Sequence, residues 1–563
     1  MAAQRAGLRA FGGWIALVLA PDAAFVRLAI VYGIAISLLS LATPISVQLL
    51  INSVANTAMP APLFTLAGIL FLLLAIAGVL SALRIHLMAL FERRLFARLV
   101  AEITLRSVHA QNPFFADARR GDLFNRYFDL ITVQKALPSL LIGGFTIVLQ
   151  GAVGLIVTSF YHPFFLAFNG VLVFTLFVIW QVWASGAVRS AVAKSHAKHA
   201  TAHWLESVGG SNGFYKSGRH LNFAMDRSEA MTADYVAQHR RHFRYTFAQT
   251  LCLLLTYALA SAALLALGGW LIIQGELSIG QLVAAELILS GVFYGIAQFG
   301  TYLDTLYDLA AGLEELSLFW DIPQEEPRTG NAQGPANGAI RLRGVQHGGH
   351  VFDFAVDSGE QLAIVAAPGV ERTLALLLKR HEQPGRGLVL VGGSDIAGFD
   401  MYRLRADIMV LDRPSFVEMS VRNYLTLAAS GDATRVMDVV EAVGLATRVG
   451  ALDDGLDTIV SNTGWPFSVG EMMALKLAAA LLARPRVLVL SPLYDLLPTA
   501  RVDAALASLR ESGTTVLQFT RRPQGLTRDG RLWVGSQAQQ RCVSEAELIA
   551  LARDEGDTDA LPA

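Results

Sequence analysis

Residues 163–183 read PFFLAFNGVLVFTLFVIWQVW, and residues 184–216 continue ASGAVRSAVAKSHAKHATAHWLESVGGSNGFYK. The first segment has no charge and is long enough to cross a bilayer, which takes about 20 apolar residues. The second keeps a helix-like spacing of apolar and charged positions, with Arg189, Lys194 and Lys198 among them. A helix that crosses a membrane and then runs on into water is the expected outcome. It ends at Gly209-Gly210-Ser211-Asn212-Gly213-Phe214-Tyr215-Lys216. A turn between two helices accounts for Gly210 and its neighbouring glycines. It does not account for Phe214 and Tyr215, which lie far enough from the bilayer to touch another domain.

Five further segments qualify as spans: Phe25–Leu50, Pro62–Leu87, Pro138–Phe160, Thr246–Ile273 and Ile279–Thr301. Basic residues precede the first span (Arg5, Arg9). They follow the second (Arg93, Arg94, Arg98, Arg106, Arg119, Arg120) and the fourth (Arg189, Lys194, Lys198, Lys216, Arg219, Arg240, Arg241). The alternate connections, Asn52–Ala61, Tyr161-His162 and Gln274–Ser278, contain no Lys or Arg. By the positive-inside rule both termini are cytoplasmic. The outside connections are short, whereas the inside ones are long enough to be helical extensions of the spans.

The composition agrees with an integral membrane protein. Of 563 residues 53% are hydrophobic and 16% charged, against roughly 25% charged in ordinary soluble chains. The net charge of −1 gives no reason to expect a nucleic-acid partner. Cys252 and Cys542 stand alone, and no metal site is expected. The first twenty residues read as a retained helix at the cytoplasmic membrane surface rather than a cleaved signal. Glu286 is the one carboxylate inside a span. It either lines a substrate pathway or stays hydrated near the outer interface. Gln150, Asn169, Gln181 and Gln298 are amides of the kind that join helices to each other.

After Ile322 the composition changes. Residues 323–338, PQEEPRTGNAQGPANG, read as a linker between a membrane domain (1–322) and a soluble domain (339–545), with a tail at 546–563. Strand candidates are Leu362–Val365, Gly387–Val391, Asp407–Leu411, Val487–Leu490, Thr515–Phe519 and Arg531–Val534. Their alternation with helical stretches predicts an α/β domain with a largely parallel sheet.

Three segments of that domain carry a family resemblance. Residues 358–374, SGEQLAIVAAPGVERTL, resemble the strand and phosphate loop of an ABC ATPase. Residues 464–471, GWPFSVGE, are similar to its signature loop. Residues 484–490, RPRVLVL, follow a helix and look like the Walker B strand, and 404–423 resembles the segment around the Q-loop. With six spans and a linker ahead, nearly the whole chain resembles a type I ABC exporter half. The nearest likeness is to bacterial halves linked to peptide or protein secretion, without a peptidase domain ahead of the first span. A bacterial inner membrane is the implied location.

Measured against the family, the phosphate loop is degraded. Glycines let backbone N–H groups wrap phosphate, a Lys reaches the β/γ-phosphates, and a Ser/Thr serves Mg²⁺. Here the first glycine is Ala366 and the last is Glu371, while Gly369 and Thr373 remain and Arg372 replaces the Lys. Arg keeps the charge but not the compact ammonium. At the end of the Walker B-like strand, Ser491-Pro492 stands where the family has Asp-Glu. Asp412 occupies the Q-loop glutamine position, and Arg521 the switch-histidine position. A hydroxyl, a proline and an arginine cannot do this acid–base and metal chemistry. The chain's own site is expected to be catalytically dead.

Ser468 and Gly470 persist in the signature loop, where the family touches the γ-phosphate held by the opposing subunit. A plain Ser cap on the following helix is the competing reading. The expected function is a transport subunit paired with a catalytically intact ABC half, with ATP and Mg²⁺ bound only at the composite site that partner completes. A non-transporting pseudo-ATPase scaffold, such as a homodimer, is the alternative. An ATP-independent conduit is a third.

Overall fold

The computed structural model describes residues 8–57, 61–111, 121–325, 334–429 and 434–554. Arg5, Arg119, Arg120, residues 326–333 of the linker and the last residues of the tail lie outside them. The chain divides into two units, 1–324 and 325–563.

The first unit is helical: α1 (Leu8–Leu19), α2 (Ala23–Leu39), α3 (Ala42–Thr57), α4 (Ala61–Val108), α5 (Asp129–Ser139), α6 (Phe145–Ser159), α7 (Pro163–Gly210), α8 (Gly218–Ile273) and α9 (Ile279–Ser317). Six stretches are long and apolar enough to span a bilayer: Ala20–Ile51, Leu63–Val108, Leu123–Ser159, Pro163–Gly210, Gly218–Ile273 and Ile279–Ser317. Two of them are broken helices. Ser40 and Leu41 separate α2 from α3, ahead of Pro44. Pro138 and a π turn at Leu140–Gly144 separate α5 from α6, as the missing proline N–H requires.

Small residues let these helices approach. A Cβ on Gly143 would meet the Tyr302 ring, and one on Gly186 would meet Tyr245. Asn169 is buried and donates to the Leu155 carbonyl at 2.9 Å and to Thr158 Oγ1 at 3.0 Å, tying α7 to α6. At the other end of the unit Asp22, its side chain fully buried, accepts from Arg94 and Arg98 of α4 at 2.8 and 3.0 Å. This pins the elbow between α1 and α2. The helices α4, α7 and α8, of 48, 48 and 56 residues, run well past the length a bilayer needs.

The second unit contains β1 (Ile340–His347), β2 (His350–Val356), β3 (Gln361–Ala366), α10 (Val370–Leu378), β4 (Arg386–Val391), β5 (Ser394–Asp395), α11 (Met401–Asp407), β6 (Ile408–Leu411), β7 (Met419–Ser420), α12 (Val421–Ala428), α13 (Val436–Ala442), α14 (Ala446–Gly450), β8 (Ile459–Val460), α15 (Val469–Ala483), β9 (Val487–Leu490), α16 (Thr499–Glu511), β10 (Thr515–Phe519), β11 (Gly530–Val534), β12 (Gln539–Cys542) and α17 (Glu545–Asp554). Its main sheet has the order β12-β11-β3-β10-β9-β6. All its pairs are parallel except β11 with β12. The strand expected at Gly387–Val391 forms, but it joins a separate antiparallel sheet, β2-β1-β4-β5. Strands β3, β9 and β10 are almost wholly buried, and their side chains are apolar apart from Gln361, Thr515 and Gln518. One core packs both sheets against α10, and a second packs α12, α13, α15 and α16 together.

Candidate nucleotide site

The ends of β3, β6, β9 and β10 are parallel neighbours, so the loops that follow them gather at one edge of the sheet. This is the place where ligands bind in open α/β folds. The loop after β3 turns at Gly369, whose φ of +86° suits glycine. Helix α10 then starts at Val370. Arg372 is exposed. The Thr373 hydroxyl donates back to the Gly369 carbonyl at 2.9 Å. Glu371 is half-buried beside them. Burial pushes its carboxyl up to about 7, the Asp412 carboxylate adds to the rise, and Arg521 opposes it. Three of the positions singled out in the sequence, from the loops after β3, β6 and β10, therefore meet electrostatically. What they assemble is two carboxylates and an arginine around a helix N-terminus. A phosphate placed there would face like charge.

Ser491 lies at the end of β9, 2% exposed. Its hydroxyl accepts from the Leu493 N–H at 3.3 Å, capping a short turn that begins at Pro492. The sequence reading passed over Asp495 in this turn. Its two oxygens accept from Thr520 Oγ1 at 2.8 Å and the Arg521 N–H at 2.9 Å. Asp495 thus locks the loop after β9 to the loop after β10, spending its carboxylate on structure. Lys379, at the end of α10, was also missed. Burial lowers its amine, Arg405 adds to the fall and Asp412 opposes it.

The signature-like loop is held firmly. Phe467 is buried, with the Arg448 guanidinium 6.0 Å from its ring centroid. Arg448 also donates to the Pro466 carbonyl at 2.7 Å. Ser468 caps α15: its hydroxyl accepts from the Glu471 N–H at 3.3 Å, and Glu471 Oε2 accepts from the Ser468 N–H at 2.8 Å. Glu471 therefore serves a capping box. A Cβ on Gly470 would meet nothing within 4 Å, so this chain's own packing does not require the glycine.

A family model for the ABC transporter transmembrane region matches residues 26–296. The membrane unit is similar to that region over those residues. The whole chain carries the ABC exporter fold. A solved bacterial Atm1-family ABC exporter with ATP bound superposes with a TM-score of 0.77 at 19% identity, covering 95% of this chain and 97% of that one. Curated relatives include a multidrug efflux ATP-binding/permease protein of Mycobacterium tuberculosis, 29% identical over 53% of this chain and 27% of its own length. The β-(1→2)glucan export ATP-binding/permease protein of Agrobacterium fabrum is 27% identical over 45% of this chain and 46% of its own. The chain thus spans about a quarter to a half of these two. The ATP-dependent lipid A-core flippase of Burkholderia orbicola is 24% identical over 80% of this chain and 78% of its own length.

In this ABC exporter fold the glycine-rich tip after Gly210 joins α7 to α8. Phe214 is exposed and stacks on His220, with ring centroids 4.2 Å apart. Tyr215 packs back, edge-on to Trp204. The tip thus offers one aromatic outward and keeps the other. Glu286 is exposed on α9, between the buried Ala285 and the half-exposed Leu287. It faces away from the packed interior of its own bundle.

Proposed function

We propose that this chain is the transport subunit of an ABC exporter whose own phosphate loop does not support hydrolysis, and that it works as a pair with a second, catalytically competent ABC half. The observation that carries the reading is Glu371, a half-buried carboxyl in the first turn of α10, raised by burial and further by the Asp412 carboxylate. Ser491 and Pro492 at the end of β9 supply no metal-binding or water-activating carboxylate. The partner's phosphate loop would hold ATP and Mg²⁺, closed by Ser468 and Gly470 of this chain. The open space around Gly470 fits an approach from outside. The Phe214 tip would pass the resulting motion between domains, and Glu286 would face the substrate path. The membrane is a bacterial inner membrane, with both termini in the cytoplasm.

The test begins with affinity purification from native membranes in mild detergent. A stoichiometric ABC half with intact Walker motifs is expected, and replacing its Walker B glutamate by glutamine should abolish transport by the pair. Transport that survives this change sinks the reading. Ser468→Ala in this chain should lower the pair's ATPase rate by 10-fold or more, as loss of an oriented phosphate contact does.

A second reading, a non-transporting pseudo-ATPase scaffold, is favoured by one observation. The Ser468 hydroxyl and the Glu471 carboxylate are satisfied by each other in the capping box. Recovery of this chain only with itself would put that reading first, because no competent site would remain in the complex.

A further inference from the structure

Three helices of the membrane unit converge on ionisable side chains that take no part in the nucleotide site. Helix α5 begins with Asp129, α7 carries His196 and His199, and α9 ends with Glu314 and Glu315. Asp129, His199, Glu314 and Glu315 are all buried. Ligand-type atoms of Asp129, His199 and Glu315 lie within 4.8 Å of one another, and His196, Glu314 and Glu315 form a second such group that shares Glu315.

The hydrogen bonds leave a gap in this arrangement. Asp129 Oδ1 accepts from Lys198 Nζ at 2.5 Å, and its Oδ2 meets His199 Nε2 at 2.5 Å. Glu315 Oε2 is in contact with Arg126. Glu315 Oε1 is buried and makes no hydrogen bond. The nearest recorded partner, His196 Nε2 at 3.6 Å, is beyond hydrogen-bond range. Buried carboxylate oxygens are ordinarily satisfied. Here the unpartnered one lies in a side chain with no exposure, on a residue that belongs to the same close group as a second carboxylate and an imidazole.

We propose that Asp129, His199 and Glu315 bind one divalent transition-metal ion of the zinc class. One imidazole nitrogen with two carboxylate oxygens is a borderline donor set. Calcium and magnesium favour all-oxygen shells, and thiolate-seeking ions would need cysteine. Lys198 and Arg126 each hold one oxygen of a ligand carboxylate, leaving Asp129 Oδ2 to His199 and Glu315 Oε1 without a hydrogen bond. This is how outer groups orient metal ligands. On binding, His199 Nε2 and Asp129 Oδ2 turn from each other to the ion, and the proton between them leaves to solvent. Beside the group, the His196 side chain is one-third exposed. The bound ion would staple α5, α7 and α9 together. No spacing in the sequence marks these ligands, because positions 129, 199 and 315 meet only through folding.

The test uses the full-length chain in detergent, stripped with chelator and desalted. It is titrated with zinc chloride alone by calorimetry, and the metal that survives gel filtration is counted by mass spectrometry. One zinc per chain at micromolar affinity or tighter, with proton release, is expected. Glu315→Gln and His199→Gln, checked for unchanged helicity and elution, should drop retained zinc to near zero, whereas His203→Gln should leave it at one. Cobalt substituted at the site should show the intense visible bands of a four- or five-coordinate ion. Wild-type protein that retains no zinc would overturn the proposal in favour of a purely salt-bridged network, without recourse to any variant. Zinc retained equally by Glu315→Gln, or an octahedral cobalt spectrum, would overturn it as well.

Discussion

Replacing Glu371 by glutamine removes a charge that its surroundings oppose. The carboxyl is held at about 7 against an ordinary 4.5. At about 1.36 kcal/mol per tenfold change in proton affinity, that gap bounds the penalty on the ionised form at roughly 3.4 kcal/mol. The side chain is only half-buried, so solvent screening reduces this to about 1–2 kcal/mol. The pH window follows from the direction of the change. Below pH 4.5 the carboxyl is protonated in folded and unfolded chains alike, and the penalty vanishes. Between 4.5 and 7 only the unfolded chain ionises, so stability falls as pH rises. Above 7 the full penalty is present. Glu371→Gln should therefore gain about 1–2 kcal/mol at pH 8 and no more than about half of that at pH 5. Hydrogen exchange of peptides covering Val370–Leu378, corrected for intrinsic rates, reads this as protection roughly 5- to 30-fold greater at pH 8. Equal protection in variant and wild type at pH 8, or a gain as large at pH 5, would refute the reasoning.

Other outcomes follow from the second unit. His381 is held down at about 4, by burial first and then by Arg405 and Lys379, with Glu325 opposing. A depressed histidine contributes stability above its unfolded value near 6.5, which is lost as pH falls towards 4. His381→Gln should flatten the acid-side loss of stability measured by urea titration at pH 7 and pH 5. Glu371→Gly combined with Arg372→Lys restores two elements of a phosphate loop, so fluorescent ATP binding by the isolated chain should strengthen at least 10-fold. An unchanged affinity would place the defect elsewhere. Leu488→Ala, at a fully buried position in β9, should cost about 2–5 kcal/mol and make the second unit prone to proteolysis. Ser468→Ala should loosen the first turn of α15 by about 1 kcal/mol, seen as about 5-fold faster exchange there, whereas Ser468→Asn, which keeps a cap, should not.

The spans were legible because a bilayer demands about 20 apolar residues in a row, a demand no local interaction can hide. The central strands were legible for a related reason: burial on both faces makes β9 an unbroken apolar run and leaves only Gln361 in β3 and Thr515 and Gln518 in β10 as polar positions. Strands β1 and β2 were not, because they lie in a separate sheet with mixed faces. Moreover, β1 is interrupted by a register shift between Leu342 and Val345, where Gly344 takes a positive φ. The segments that resemble ABC ATPase motifs could be read from their order along the chain, 358–374, 404–423, 464–471 and 484–490. Asp495 escaped notice because its bonds to Thr520 and Arg521 cross between two loops. The Asp129, His199 and Glu315 group was invisible for the same reason on a larger scale. Its members are separated by most of the helical unit, and each alone looks like an ordinary charge on a long helix.

The great length of α7 has a mechanical consequence. From Trp183 to Gly210 the helix continues for roughly 40 Å at about 1.5 Å per residue. A rigid rod of that length is a lever. A tilt of about 5° at the Trp183 end moves the far end by about 3.5 Å over the same roughly 40 Å, close to the diameter of one carbon atom. Phe214, stacked on His220 at that end, would thus gain or lose a neighbour outright while the membrane-spanning part scarcely repacks. Gearing of this kind turns a small analogue motion at one end into a two-position contact at the other.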